Sequence, residues 1–83
     1  MLDVKGEKML DNANMRAVDS SNLKAIGYDP NTRELFVQMA RNDSVYKYAD
    51  VSLNLFERFS NAESKGRFFV QEIKDRFQTT KLD

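Results

Sequence analysis

The chain has 83 residues, which is enough for one domain, because a chain of this size buries only about 60% of the surface that its unfolded form exposes. Hydrophobic residues make up 41%, with six Phe and three Tyr, so a compact core is expected. The 13 Lys and Arg balance the 13 Asp and Glu, so any nucleic-acid or membrane binding requires a local patch. Cys and His are absent, which excludes disulfides and removes the commonest general base and metal ligand. We therefore expect neither an enzyme nor a cofactor.

The N-terminal segment, residues 1–16, has apolar side chains without helical or alternating period. Charged residues interrupt it early, so we expect it to be neither a signal peptide nor a membrane span. We interpret it as a mobile tail, with a docking segment as the alternative. A soluble, cytoplasmic protein is expected.

Three strands are predicted next. The first, Val18–Tyr28, ends at a turn, Asp29–Thr32, where Asp accepts backbone hydrogen bonds and Pro presets the second position. The strand formers at 35–40 and 45–49 flank Asn42-Asp43, a pair that tolerates a left-handed backbone. This pattern indicates a β-hairpin with a two-residue loop.

That loop sets the register and the two faces of the sheet. It pairs Leu35 with Asp50, Val37 with Tyr48 and Met39 with Tyr46, and these apolar and tyrosine side chains form the core face. The opposite face stays partly wet and carries Phe36, Gln38 and Lys47, a mixed surface suited to a partner. A bulge at Gly27 would exchange which of Ala25 and Ile26 points inward, so the register of the first strand stays open.

Two helices are predicted to follow the sheet. Ser52 is placed to cap a helix from about Leu53 to Asn61, with Val51 packing against Phe56. Ser64 can cap the second helix, in which three apolar residues recur at four-residue steps: Phe69, Ile73 and Phe77. The fold class is therefore α+β: a three-stranded antiparallel sheet followed by two helices packed on one face, over residues 17–79, with a C-terminal tail at 80–83.

Two segments carry candidate binding residues. Tyr46 and Tyr48 flank Lys47 on a strand, which is how sheets present rings for base stacking, although packing in the core is the favoured alternative. Ser64, Lys65 and Arg67 lie at a helix start, where backbone N–H groups favour an anion. The alternative there is a capped helix with solvated cations. The carboxylates are scattered and Ser20-Ser21 has no evident base, so no catalytic residue is expected.

The chain contains, in this order, the segments Ser20–Asp29, Leu35–Val37, Val45–Val51 and Ala62–Phe69. Together they resemble the KTSC domain, a small domain named for the C-terminus of some lysyl-tRNA synthetases and also found as stand-alone bacterial and phage proteins with a Tyr-x-Tyr motif. The resemblance covers about Val18 to Phe77. Two departures concern turn chemistry: Ser52 stands where members often have Pro, and Asn42-Asp43 replaces a common glycine-containing turn.

The resemblance implies a non-enzymatic binding module, and RNA binding has been suggested from its synthetase context. We expect weak binding of RNA or single-stranded nucleic acid, with a log–log salt slope near −2 if about three phosphates are contacted. The alternative is a phage or prophage adaptor or inhibitor that binds a host protein, as monomer or homodimer, through an exposed Phe36 or the sheet edge. The candidate site residues are Tyr46, Lys47, Tyr48, Ser64, Lys65, Arg67 and Phe36.

Overall fold

A computed structural model describes residues 15–82. In this range five antiparallel strands form one sheet in the order β1-β2-β3-β4-β5. The strands are β1 (Arg16–Ala17), β2 (Leu23–Asp29), β3 (Glu34–Met39), β4 (Val45–Tyr48) and β5 (Thr79–Lys81). Between β4 and β5 lie helix α1 (Leu53–Ser60), helix α2 (Lys65–Phe68) and a π-helix (Phe69–Ile73). The predicted α+β class with two helices is confirmed, whereas the predicted three-stranded sheet was wrong.

The two additional strands come from the ends of the described range. Most of the segment interpreted as a mobile tail, residues 1–16, lies outside the described residues, but Arg16 belongs to β1 and lies opposite Ile26. Thr80 and Lys81, predicted to be in a C-terminal tail, belong to β5 and pair with β4. Strands of two and three residues are too short to show an alternating pattern in the sequence.

The loop between β3 and β4 is longer than the two residues predicted. Met39 N donates to Ser44 O at 2.8 Å, and Asp43 N donates to Met39 O at 3.0 Å, so Ala40–Asp43 form the loop. Asp43 has a φ of 62°, a left-handed conformation that Asp tolerates. The longer loop pairs Leu35 with Tyr48 and not with Asp50. Because the error is two residues, every side chain keeps its predicted face.

The loop between β2 and β3 confirms the turn chemistry predicted for Asp29. Its Oδ1 accepts from Asn31 N at 3.0 Å, and its carbonyl accepts from Arg33 N at 2.7 Å. The β2 irregularity lies between Leu23 and Ala25, and not at Gly27. As a result Ile26 joins the main core.

Both predicted helix caps are present. Ser52 Oγ accepts from Leu55 N at 3.1 Å, and Ser64 Oγ accepts from Arg67 N at 3.3 Å. The second helix widens into the π-helix and ends where Lys74 N donates to Phe69 O at 2.8 Å, so the prediction that Phe77 continues its helical stripe was wrong. No helix within residues 15–82 is long and apolar enough to cross a bilayer.

The helices cover one face of the sheet and enclose the main core. Its buried members are Leu23, Ile26, Tyr28, Leu35, Val37, Tyr48, Val51, Phe59, Phe69 and Ile73. Tyr28 stacks on Phe56 with ring centroids 4.8 Å apart, and its hydroxyl donates to the Val51 carbonyl. Both contacts hold α1 and the residues just before it against β2.

A second, smaller core lies on the opposite face of the sheet. Phe36 is 1% exposed and clusters with Val45, and Met15 and Leu82 pack against them. The prediction that Phe36 contributes to an open surface was therefore wrong. The physical reason is the wider sheet: Met15 precedes β1 and Leu82 follows β5, so both added strands deliver apolar side chains to this face.

Replacing Phe36 tests this second core. Because the ring is buried, Phe36→Ala should lower the free energy of unfolding by roughly 3–5 kcal/mol, or unfold the domain outright. Leu53→Ala is the control, since Leu53 is 51% exposed and should cost less than about 0.5 kcal/mol. Urea unfolding monitored by circular dichroism measures both. If both variants lost the same small amount of unfolding free energy, Phe36 would lie at the surface.

Candidate functional site

A cleft of about 740 Å³, referred to below as cleft 1, opens between the sheet and the segment formed by α2 and the π-helix. It is lined by Ser21, Asn22, Leu23, Met39, Ala40, Arg41, Asn42, Tyr46, Tyr48, Gly66, Phe69, Val70, Lys74, Asp75 and Thr79. These residues come from five separate segments of the chain. Cleft 1 therefore exists only in the folded domain.

The turn at Ser20–Asn22 forms one wall of cleft 1. Ser20 Oγ accepts from Asn22 N at 3.2 Å and from Leu23 N at 3.3 Å. Asn22 O accepts from Ala40 N at 3.0 Å, which ties the turn to the β3–β4 loop. The Asn22 backbone is thus fixed on both sides, while its side chain is exposed at the cleft.

Gly66 allows α2 to approach this turn closely. An ideal Cβ at Gly66 would lie 3.1 Å from Asn22 Nδ2 and 3.5 Å from Ser20 Oγ. The shorter distance is tighter than ordinary van der Waals contact, so any larger residue would force the Asn22 side chain to move. Gly66 therefore sets the width of cleft 1 at this point.

The two tyrosines of the Tyr-x-Tyr motif occupy different depths. Tyr48 is 3% exposed and contacts Phe69 edge-to-face, with ring centroids 5.8 Å apart. Tyr46 is half-buried and packs at the margin of the main core. Packing under the helices, the favoured alternative, is confirmed for Tyr48. Tyr46 retains the exposed surface that a stacking interaction requires.

Charged groups border cleft 1 on two sides. Arg41 belongs to the β3–β4 loop and Lys74 follows the π-helix, and both side chains are exposed. Asp75 contributes one carboxylate, so the lining carries a formal charge of +1. Within residues 15–82 no group of three acidic residues is arranged to hold a metal ion.

The residues predicted from the sequence do not form one surface. Tyr46 and Tyr48 line cleft 1, but Lys47 points to the opposite face, where its Nζ lies 3.3 Å from Glu34 Oε2. This separation follows from the alternation of side chains along a strand. Phe36 is buried on that same opposite face.

The residues predicted to bind an anion at the helix start, Ser64, Lys65 and Arg67, lie outside cleft 1. Ser64 Oγ is used in capping, and Lys65 Nζ donates to Ala62 O at 3.1 Å. Arg67 is exposed but does not line cleft 1. Lys65 is part-buried beside this cap, and binding of an anion by Lys65 and Arg67 stays a prediction.

The comparisons with known proteins agree with the sequence resemblance. The family model of the KTSC domain matches residues 19–77. The chain belongs to the KTSC domain family. A crystal structure of a KTSC domain protein from Yersinia pestis is 38% identical, with a TM-score of 0.80, over 83% of this chain and 96% of that one.

Two relatives show the settings in which related segments occur. A lysine–tRNA ligase from a Nostoc species is 36% identical over 64 residues, which is 77% of this chain but only 11% of the ligase. A protein from Tsukamurella paurometabola is 35% identical over 68 residues, which is 82% of this chain and all of that protein. The KTSC segment thus occurs both within a much larger enzyme and as a small protein.

Three of the four segments that carried the resemblance contribute to cleft 1. The first supplies Ser21 and Asn22, the third supplies the two tyrosines, and the fourth supplies Gly66 and Phe69. Asn22 and Gly66 lie within two of those segments, and their proximity was not predicted. Arg41 and Lys74 were missed because no local pattern distinguishes them from other surface cations.

Gly66→Ala tests the contact between α2 and the turn. The added methyl should displace the Asn22 carboxamide, while Ala gains roughly 0.5–1 kcal/mol of helix preference over Gly. We expect a change in unfolding free energy within about 0.5 kcal/mol and a clear shift of the Asn22 side-chain amide signals in NMR spectra. Unchanged Asn22 signals would contradict the close approach.

The buried Tyr48 should make stability depend on alkaline pH. Burial raises the pKa of Tyr48 to about 12, with smaller contributions from Tyr46 and Asp75. In the unfolded chain its pKa is about 10, so this stabilisation is complete below pH 10 and is lost as the pH rises towards 12. Burial also raises the pKa of Tyr28, so part of the loss persists in Tyr48→Phe.

Urea unfolding between about pH 9 and pH 12 checks this expectation. The unfolding free energy of Tyr48→Phe should decrease less over this range than that of the wild type. Identical pH profiles for the two proteins would contradict the burial of the Tyr48 hydroxyl.

Proposed function

We propose that this KTSC domain is a non-catalytic binding module that holds single-stranded RNA in cleft 1. The observation that carries the proposal is the convergence of a half-buried ring, Tyr46, with two exposed cations, Arg41 and Lys74, around one cleft. Single-strand binding sites combine these two features: rings that stack on bases and cations that contact phosphates.

Each group has a separate role in the proposed complex. A base stacks on Tyr46, an interaction worth roughly 1–3 kcal/mol. Arg41 and Lys74 contact phosphates on either side. The Asn22 carboxamide, which offers both a donor and an acceptor, contacts a base edge. The chain is uncharged overall, so this small local excess of positive charge supports weak binding that depends on salt.

The setting of one relative also supports an RNA ligand. The Nostoc relative is by name a ligase that acts on a tRNA, and the related segment forms a small part of it. The competing hypothesis of a host-protein adaptor named an exposed Phe36 or the sheet edge as its contact surface, and Phe36 is buried. The exposed surface of the described residues therefore supports an RNA ligand better than a protein bound through Phe36.

Fluorescence anisotropy with a labelled single-stranded RNA of about four nucleotides tests the proposal. Contact of Arg41 and Lys74 with two phosphates predicts a log–log slope of affinity against salt of about −1.4. Arg41→Gln removes one phosphate contact and should change the slope from about −1.4 to about −0.7. Tyr46→Leu retains apolar volume but removes the ring, and should weaken binding roughly 5- to 150-fold.

Lys47→Gln is the matched control, because it removes a positive charge from the opposite face of the sheet. It should leave affinity and salt slope unchanged. Absence of binding at low salt, a flat salt response, or an equal effect of Lys47→Gln and Arg41→Gln would each contradict the proposed site.

A further inference from the structure

A second cleft of about 620 Å³, cleft 2, lies between the β1–β2 edge of the sheet and helix α1. Its wall includes apolar and aromatic side chains, among them Val18, Ile26, Tyr28, Leu53 and Phe56. Two cations, Arg16 and Lys65, and one carboxylate, Asp19, also line it. Cleft 2 thus has the same composition as cleft 1: rings, apolar surface and an excess of one positive charge.

The two clefts lie on either side of the contact between the Ser20–Asn22 turn and α2. On the turn, Asp19 lines cleft 2 while Ser21 lines cleft 1. On α2, Lys65 lines cleft 2 while its neighbour Gly66 lines cleft 1. The partition between them therefore includes the approach of Ser20 and Asn22 to the buried Gly66. We call this partition the Gly66 saddle.

Exposed apolar side chains mark both clefts. Among the described residues, the large hydrophobic side chains that are exposed are Leu53, at 51%, and Val70, at 58%. Leu53 lines cleft 2 and Val70 lines cleft 1. Each cleft thus offers solvent-exposed apolar surface beside its cations, which suits the alternating bases and phosphates of a nucleic-acid strand.

We infer that cleft 2 is a second subsite for the same RNA strand, which crosses the Gly66 saddle from cleft 1. This inference rests on the proposed function. Arg16 and Lys65 contact phosphates, and a base packs against Leu53 and the edge of Phe56, whose ring stacks on Tyr28. Lys65 Nζ uses one proton at Ala62 O, and an ammonium group has two more to donate.

The length dependence of the salt response tests the inference. An RNA of about four nucleotides fills cleft 1, whereas one of about eight nucleotides reaches cleft 2. The additional contacts of Arg16 and Lys65 should change the slope from about −1.4 to about −2.8. Arg16→Gln and Lys65→Gln should each change the slope for the longer RNA from about −2.8 to about −2.1. The slope for the shorter RNA should stay the same.

Arg16→Gln is the primary variant, because Lys65 also bonds to Ala62 and its replacement could disturb α2. Lys47→Gln again serves as the charge-matched control and should leave both lengths unchanged. The variants are compared only after their unfolding midpoints are shown to match the wild type.

The outcomes separate the inference from the proposed function. If neither RNA binds, the proposed function fails and the inference fails with it. If both lengths bind with the same slope, or if Arg16→Gln weakens the shorter RNA as much as the longer one, the second subsite is overturned while cleft 1 stands. Binding of an acidic peptide at Arg16 that the longer RNA does not displace would also overturn it.

Discussion

The approach of the Ser20–Asn22 turn to Gly66 is the contact on which the candidate site depends. The turn is held by the Ser20 hydroxyl and by the bond from Ala40 to the Asn22 carbonyl, so it is fixed to the sheet. Gly66 has no Cβ, which lets α2 come within van der Waals distance of that turn. This contact adds to the main core in joining the sheet to the helical layer, and it lies between the two clefts. The same feature therefore serves both the packing of the domain and the shape of its surface.

The alternation of side chains along β4 determines which residues can act together. Tyr46 and Tyr48 face the helices, whereas Lys47 faces the other way, so the triplet cannot form one binding surface. Burial divides the tyrosines further, since Tyr48 contributes to the core and Tyr46 reaches its margin. The positive charges of cleft 1 come instead from Arg41 and Lys74, which follow the ends of β3 and the π-helix. The proposed site therefore combines the Tyr46 ring on β4 with cations that follow β3 and the π-helix.

Features set by local chemistry were predictable from the sequence. The Asp29 turn and the caps at Ser52 and Ser64 depend on residues within a few positions of one another, and all three were confirmed. The faces of β3 and β4 were also correct, because the register error was an even number of residues. The KTSC resemblance was confirmed by the family match.

Features set by distant parts of the chain were not predictable in this way. The outer strands are too short to show a period, and without them Phe36 was predicted to lie on an open face. The proximity of Asn22 and Gly66 joins segments far apart in the sequence and depends on how α2 packs. The widening of the second helix into a π-helix, which places Lys74 at cleft 1, has no signature in the spacing of Phe69 and Ile73.

The central claim is that the ligand surface lies on the helical side of the sheet, around the Gly66 contact. Two-dimensional amide NMR spectra of labelled protein, titrated with single-stranded RNA at low and then higher salt, test it most directly. The account predicts shifts at Asn22, Arg41, Tyr46 and Lys74 that weaken with salt, and none at Phe36 or Lys47. Shifts centred on Phe36 and Lys47, or no shifts at any RNA concentration, would contradict it.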